Sequence, residues 1–433
     1  YIAISFINIS LFKYLFCSLP VFCLLGGYFV RMVLTPILFS LGGYKSFLHI
    51  TIPADGVVKA VLLLSFEYFA VCLAINLFAQ KKRFANKGKA VNLHKYNLSY
   101  FKTCLLIILI FLVFVYLYIP QIKTVYPLLF NIKFTDIVDI RWDNESIVRR
   151  GTLQRYFYSL FCFFNPIIRN ILPSFLIFYF YKKYGKKKLS AFLSFFCMLI
   201  PFIVLGGFNI EPFISFVLCL IVLRKLYGKR VNRVIGIVGT IGFIAISIVI
   251  MAKISSLSRW RGGSGVALIA QFLNAYLPGF DNMAALLSME NVSKLKTLFF
   301  DIYYAIPFKN TLFGLKGENL NDLFNIYVDT GGQIISFGSQ IAHYGSLVVA
   351  SASIGIISHL ALNAEDKAKR TDNFWEYFSL IYFSLITSVS ISIYSFSIYL
   401  NSLINVALPI LIITSLVREK KRLGKLNKPD ITY

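Results

Sequence analysis

Three side chains in one stretch of the sequence have types and spacing that could serve catalysis, by proton exchange or by hydrogen bonding to a substrate. They are Gln340, His343 and Tyr344, in SFGSQIAHYG from 336 to 345. On a helix these positions are neighbours on one face, at i, i+3 and i+4. Histidine exchanges a proton near neutral pH and could orient or activate a hydroxyl group. The competing interpretation is an ordinary hydrogen bond between His and Tyr at a membrane surface.

Arginine residues form a second group, whose chemistry would be the binding of phosphate. The guanidinium fork can hold two phosphate oxygens at once, which Lys cannot match. The candidates for binding a diphosphate are Arg149, Arg150, Arg155, Arg31 and Arg169. Arg259 and Arg261, in SRWRGGSG, are candidates for stabilising charge on a departing group. Two alternatives stay open: loop arginines that are merely solvated, and arginines in apolar stretches that snorkel or pair internally.

Several reaction classes lack their usual sequence markers. The chain has no G-x-x-x-x-G-K-[ST] loop, no H-E-x-x-H, no G-x-S-x-G and no D-x-D pair. Four acidic residues between 136 and 145 have a spacing that fixes no metal geometry. The seven cysteines lie in or beside apolar runs without C-x-x-C pairing, which indicates small buried apolar residues. We therefore expect neither a metal ion nor another cofactor.

The amino-acid composition indicates whether the segments that carry these residues face water or lipid. Of 433 residues, 58% are apolar and only 15% are charged, against about 45–50% and about 25% in soluble proteins. So few charges could not cover so much apolar surface in water, so the expected solvent is lipid. The formal charge of +25 comes from short basic bursts between apolar runs, which argues against a nucleic-acid partner.

The basic bursts set the predicted topology, because cytoplasmic loops collect Lys and Arg. Bursts follow the apolar runs that end near 79, 181, 223 and 417, so these loops and the C-terminal tail are predicted to be cytoplasmic. The predicted spans are about 14–40, 57–79, 101–119, one ending near 181, 189–206, 208–223, 234–252, 334–362, 374–393 and 398–417. The count is ten, or eleven if residues 1–12 end one more helix. The chain starts at Tyr1 rather than Met, so a few residues are expected to precede it, and no cleavable signal peptide is evident.

The predicted fold is thus an all-α polytopic membrane protein, with residues 1–433 forming a single transmembrane domain. Two segments on the predicted outer side, about 120–156 and 254–333, are too long to be turns. Both mix acidic and basic residues, unlike the basic inner loops. Loops of this length usually carry function or their own structure, so the functional surface is expected there.

The order of the spans and two short motifs resemble the bacterial O-antigen and capsule repeat-unit polymerases (Wzy type), which are related to the O-antigen ligases. In that family a large external loop ends in a Gly-rich stretch, followed by a pattern like E-x-x-x-[FY]-G at the head of the next helix. Here TGG at 330–332 precedes Gln340, Tyr344 and Gly345. The segment LNAYLPGFDNMAALL, residues 273–287, is similar to one early in the family's loop.

This resemblance implies a GT-C-like glycosyltransferase architecture and a place in the bacterial cytoplasmic membrane. The implied reaction joins two undecaprenyl-diphosphate-linked oligosaccharides on the outer face, without nucleotide sugar, into O-antigen or capsular polysaccharide. Arginines would neutralise the departing diphosphate, and His343 would orient or deprotonate the acceptor hydroxyl. Membrane lipid and a chain-length regulator are the further partners that it suggests. Gln340 stands where the family usually has Glu, and Glu211 where relatives often have a basic residue, so neither family role transfers.

Two alternative functions stay open beside the polymerase. An O-antigen ligase would use the same donor with a lipid A core acceptor, as would other lipid-linked glycosyltransferases with acceptors of their own. A lipid-linked oligosaccharide flippase or another transporter should place charged residues at the midplane of several spans, and often shows internal repeats. No repeat is evident, and the polar residues concentrate in one predicted external loop.

Overall fold

The computed structural model describes residues 14–15, 17–42, 48–80, 99–120, 122, 152–203, 210–233, 235–237, 239–240, 265–277, 279–289, 292–309, 313–329 and 334–414. The described residues are mostly helical and contain no strand. Their main helices, numbered in chain order, are α1 Leu19–Gly42, α2 Ala54–Gln80, α3 Ser99–Tyr118, α4 Thr152–Tyr184, α5 Lys188–Cys197, α6 Ile200–Ile203, α7 Ile210–Tyr227, α8 Val266–Tyr276, α9 Phe280–Leu287, α10 Lys294–Ala305, α11 Leu320–Val328, α12 Phe337–Tyr344, α13 Leu347–Arg370, α14 Phe374–Ile393 and α15 Phe396–Thr414.

Six of these helices are long and apolar enough to cross a membrane: α1, α2, α4, α13, α14 and α15. Two shorter apolar helices lie at Lys102–Tyr118 and Lys188–Cys197. The chain is therefore a helical, multi-pass membrane protein, as its composition predicts. The count of ten or eleven spans stays a prediction, because most of the predicted span 234–252 and all of residues 1–12 lie outside the described residues.

The predicted span 334–362 is two helices rather than one. Helix α12 ends at Tyr344, and α13 begins at Leu347 after a break at Gly345 and Ser346. Gly345 has φ −120° and ψ −99°, which lies outside the helical region. The break separates the short helix that carries the candidate catalytic residues from the long apolar helix that follows it. By contrast, α14 has the predicted bounds, 374–393.

Two of the apolar helices contain one π-helical turn, at Val30–Leu34 in α1 and at Leu403–Ala407 in α15. Each π-helical turn ends two residues before a proline, Pro36 or Pro409. Proline has no N–H to donate to the carbonyl four residues earlier, so the local hydrogen-bond pattern shifts. Arg31 lies in the first of these turns, which displaces its side chain from regular helical spacing.

The chain divides into two compact units. The first contains α1, α2, α8 to α13, α14 from Leu380 and α15 as far as Asn405. In this unit α2 and α13 pack closely: an added Cβ at Gly355 would lie 3.5 Å from the Cβ of Ala70. The start of α1 meets the far end of α13, where Ser18 Oγ donates to Glu365 Oε2 over 2.5 Å. Helix α1 is thus antiparallel to α13, the relative direction that the charge pattern predicts.

A smaller apolar core organises the part of the first unit between the candidate spans. It joins α9, α11 and the residues that lead into α12, and consists of Leu48, Ala285, Leu286, Met289, Leu320, Phe324, Val328 and Ile335. Gly56, in the first turn of α2, permits the close approach of α9, since a Cβ there would overlap Ser288 Oγ and Ala284 O. The predicted external segment 254–333 therefore carries structure of its own, as its length suggests.

The second unit contains α3 to α7, the start of α14 and α15 from Val406. Aromatic rings dominate its packing; Phe178 on α4 stacks on Phe374 with ring centroids 4.2 Å apart. Polar side chains between its helices pair with each other, as when Ser215 Oγ donates to Asn170 Oδ1 over 2.7 Å. Such pairing removes unsatisfied groups from an apolar environment.

Candidate functional site

The N-terminal end of helix α12 is fixed by local hydrogen bonds. Its N-cap is Ser336, whose Oγ accepts from the backbone N–H of Ser339 over 3.0 Å. The preceding backbone is held by Asn282 Nδ2, which donates to Ile334 O over 2.9 Å, and by Asn321 Oδ1, which accepts from Ile335 N over 3.3 Å. The helix therefore presents its side chains from a defined position.

Four polar side chains from three helices meet beside α12, and we call them the Asp301 cluster: Asp301, Gln340, Tyr344 and Ser397. Gln340 Nε2 and the Tyr344 hydroxyl both donate to Asp301 Oδ2. Ser397 Oγ donates to Asp301 Oδ1 over 2.8 Å, and so does the backbone N–H of Leu320 over 3.2 Å. Asp301 and Gln340 are fully buried. The cluster thus joins α10, α12 and the start of α15.

The amide of Gln340 has one favourable orientation within the cluster. Its Oε1 accepts from Ser397 N over 3.3 Å, and its Nε2 donates to Ser397 Oγ over 2.6 Å as well as to Asp301. A Glu at this position would place a second carboxylate against Asp301. Gln340 thus stands where the pattern E-x-x-x-[FY]-G has Glu, and the carboxylate beside it comes from Asp301 on α10.

Asp301 acts as a structural acceptor, because both of its carboxylate oxygens are occupied by donors. Burial raises the pKa of Asp301 above its ordinary value, and the bonds from Tyr344, Ser397, Gln340 and the Leu320 N–H act in the opposite direction. Burial and the neighbouring Asp301 also raise the pKa of Tyr344. Tyr344 therefore keeps its proton at neutral pH and serves as a donor.

His343 lies on the same helix but outside these hydrogen bonds. The residue is 7% exposed, and within the part of the chain that the structure describes its Nε2 has no hydrogen-bond partner. Burial, and then the charge of Lys294, lower its pKa below the usual value of 6.5. The imidazole is therefore neutral at pH 7 and can accept a proton. Its ring lies edge-on to Tyr344, with centroids 5.6 Å apart.

A second buried carboxylate lies on the other side of α12, within the candidate spans. Arg31 Nη1 is 3.4 Å from Glu67 Oε2, and both side chains are almost completely buried. The Tyr28 hydroxyl donates to the same oxygen over 3.1 Å, and Arg31 Nη2 lies 3.1 Å from Met283 Sδ. Arg31 thus has the internal pairing that the sequence analysis left open. Its binding of a diphosphate stays a prediction.

Glu67 also touches α12 directly. A Cβ added to Gly338 would overlap Glu67 Oε1, so any larger residue would have to displace this carboxylate or the helix. Glu67 Oε1 has no hydrogen-bond partner among the described residues and lies beside the first turn of α12. The positive end of a helix dipole stabilises an anion there. Helix α12 is therefore held between two buried carboxylates, Glu67 at Gly338 and Asp301 at Gln340.

The remaining predicted site residues lie in the second unit or outside the described residues. Arg155, in the first turn of α4, and Arg169, buried in the middle of α4, belong to the second unit. Four further arginines lie outside the described residues: Arg149, Arg150, Arg259 and Arg261. Among the residues that are described, no three His, Cys, Asp or Glu side chains are grouped so that they could hold a metal ion.

Three members of these sites are not predicted from the sequence. Glu67 is recognisable from the sequence, because it is the one acidic residue in the apolar run 57–79. An ionisable residue within a span usually pairs with another polar group. Asp301 was one acid among several in a long polar segment. Ser397 is an ordinary small residue in an apolar run, and nothing in the local sequence marks it.

No protein-family model, no curated protein and no solved structure matches this chain.

Proposed function

We propose that this protein polymerises lipid-linked oligosaccharide repeat units into O-antigen or capsular polysaccharide. The proposed reaction takes place at the outer face of the bacterial cytoplasmic membrane, with an undecaprenyl-diphosphate-linked donor and a second lipid-linked unit as acceptor. The observation that carries the proposal is His343: a neutral, buried imidazole whose Nε2 has no hydrogen-bond partner among the described residues, on a short helix that stops where an apolar span begins.

The proposed chemistry uses His343 as the general base. An acceptor hydroxyl donates its proton to Nε2 while its oxygen attacks the anomeric carbon of the donor. The bond from that carbon to the diphosphate breaks, and the diphosphate leaves as an anion. Negative charge develops on the leaving group, so guanidinium donors there would stabilise the transition state. Arg149, Arg150, Arg259 and Arg261 are the proposed donors, with Arg155, Arg31 and Arg169 as second choices.

The Asp301 cluster contributes positioning rather than proton transfer in this proposal. Asp301 is saturated with donors, and Tyr344 keeps its phenolic proton. Fixing Gln340 and Tyr344 fixes the face of α12 and therefore the direction of the neighbouring His343. Small errors in such geometry are costly, because catalysis depends on the alignment of the reacting atoms.

A transporter of lipid-linked oligosaccharides is the second candidate, and the Arg31–Glu67 pair favours it. The two residues lie in the candidate spans α1 and α2, where ionisable residues are expensive and commonly functional. A single ion pair between two spans is also compatible with a purely structural role. The same carrier-linked substrate serves both functions, so the experiment must separate them.

Deletion of the gene in its native bacterium, followed by a gel of surface glycan, makes this separation. For a polymerase we expect loss of the ladder, with single repeat units still attached to the cell surface. Complete absence of surface units, with material stranded on the lipid carrier, would instead point to a ligase or a flippase and overturn the proposal.

Complementation of the deletion strain then tests the role of His343. His343→Gln should fail to restore the ladder, since the amide cannot take up a proton. His359→Gln is the matched control, because His359 lies on α13, away from the break at Gly345, and has no role in the proposed step. A full ladder from an amply expressed His343→Gln protein would exclude the general-base role.

A further inference from the structure

Helix α10 has two faces of different character. One face is buried in the first unit and carries Asp301 of the cluster. The opposite face exposes large apolar side chains at i, i+4 and i+7: Leu295 is 81% exposed, Phe299 51% and Ile302 46%. A single exposed leucine needs no explanation, but a stripe of three along one helical face indicates a partner.

Two hydrogen bonds place this helix alongside a candidate span. Asp301 is bonded to Ser397, and Ala305 O accepts from Asn405 Nδ2 over 2.9 Å. Ser397 and Asn405 are eight residues apart on α15, which corresponds to roughly 12 Å along a helix axis. Helix α15 has 19 residues, so Asn405 lies near its middle. The end of α10 therefore reaches the depth of the membrane rather than the water above it.

The first turn of α10 carries positive charges, which are unfavourable at the N-terminus of a helix. Lys294 and Lys296 are exposed, and this turn contains no acidic residue. Cations near a helix N-terminus are unfavourable by up to about 1 kcal/mol at exposed sites, so some other partner must favour them. At about 100° per residue, the two lysines flank the apolar stripe on either side. Lipid phosphates at the edge of the hydrocarbon would complement both.

We propose that α10 enters one leaflet of the bilayer alongside α15, with Leu295, Phe299 and Ile302 against lipid acyl chains and Lys294 and Lys296 against lipid phosphates. As in other membrane-associated amphipathic helices, its apolar face would be buried below the headgroups while its basic residues stay at their level. The other face of the same helix holds the Asp301 cluster. The cluster and His343 would consequently lie at the level where the phosphates of membrane lipids lie. The proposal needs no assumption about the reaction.

Site-specific photo-crosslinking tests this placement. Benzoylphenylalanine is introduced at position 295, 299 or 302, and the full-length protein is reconstituted in nanodiscs of phosphatidylethanolamine and phosphatidylglycerol. After irradiation, intact mass spectrometry should show protein–lipid adducts at these positions. Position 322 on α11, whose Asp is also exposed, is the control and should give no more adduct than the unsubstituted protein. Position 295, the most exposed of the three, tolerates a large side chain even if 299 or 302 does not.

Absence of lipid adducts at 295, or cross-links from 295 to a second copy of the chain, would overturn the proposal. The phosphate contact is tested by adding Lys294→Gln and Lys296→Gln to the position-295 variant. With both lysines present, the anionic lipid should be enriched among the adducts at least twofold over its share of the bilayer. The double substitution should return the ratio to that share. An unenriched ratio in the parent variant would exclude the phosphate contact.

Discussion

The two buried carboxylates beside α12 are compensated in different ways. Asp301 accepts hydrogen bonds from four neutral donors outside or at the end of the candidate spans. Glu67, within a span, has one cation and one phenol on a single oxygen, while its other oxygen has no partner among the described residues. Where backbone and polar side chains are available, neutral donors can stabilise a carboxylate. Inside a span such donors are scarce, so a full counter-charge is needed.

The difference predicts that loss of Arg31 has the largest effect on stability. Arg31→Met leaves Glu67 buried without its counter-charge, and breaking a buried pair in this way costs about 3–5 kcal/mol. The double variant Arg31→Met, Glu67→Met removes both charges and should recover most of that loss. Thermal unfolding in detergent measures both variants. Equal stability of the single and double variants would contradict the pairing.

The same pair of variants tests whether the ion pair has a role beyond the fold. If the pair only supports the fold, the double variant should restore the surface-glycan ladder in the deletion strain. If the pair moves a substrate or proton across the membrane, or if Arg31 binds the diphosphate, the double variant should be stable but inactive. The comparison of stability with activity is therefore informative in either case.

Gly338→Ala should have the next largest effect, because the added methyl group overlaps Glu67 Oε1. Overpacking of a buried site typically costs about 1–3 kcal/mol, and here it also displaces α12. Gly355→Ala is the matched control on α13, since its Cβ would make an ordinary 3.5 Å contact with Ala70. Activity lost in the first variant and retained in the second is the expected result. Full activity in Gly338→Ala would show that α12 tolerates displacement at its first turn.

Exchange of the carboxylate and amide in the Asp301 cluster should have a smaller effect. Gln340→Glu alone places two carboxylates in contact, so one of them must take up a proton, at a cost of about 1–3 kcal/mol at pH 7. That cost should shrink as the pH falls, because acid supplies the shared proton. The double variant Asp301→Asn, Gln340→Glu restores one carboxylate and one amide across the same bond. It should recover the stability near pH 7; failure to do so would mean that the position of the charge is itself required.

The sequence predicts the membrane class and the opposite directions of α1 and α13, and it singles out the stretch around Gln340, whose functional role stays a prediction. These features follow from composition, basic loops and helical spacing, which are local properties. It does not predict that Gln340 and Tyr344 bind Asp301 and Ser397, which are 39 and 57 residues from Gln340 along the chain. Such contacts depend on how helices pack, and packing is not encoded in any single segment. The break at Gly345 was missed for a related reason, because apolar residues continue on both sides of it.

The smallest expected effect is a shift in the pH dependence of activity when Lys294 is replaced. Burial and the charge of Lys294 lower the pKa of His343, so the neutral imidazole persists below pH 6.5 and activity is lost only at more acidic pH. Lys294→Gln removes the smaller of these two causes, so the pKa rises partway towards 6.5 and the acidic limb of the activity profile moves to higher pH. Lys296→Gln is the control, since Lys296 is exposed and is not among the causes of this shift. Acid also destabilises the fold, because the unfolded chain binds the proton more readily than the folded one. Initial rates of polymerisation in reconstituted nanodiscs, at temperatures well below unfolding, separate the two effects; an unmoved limb in Lys294→Gln would mean that His343 is not the titrating base.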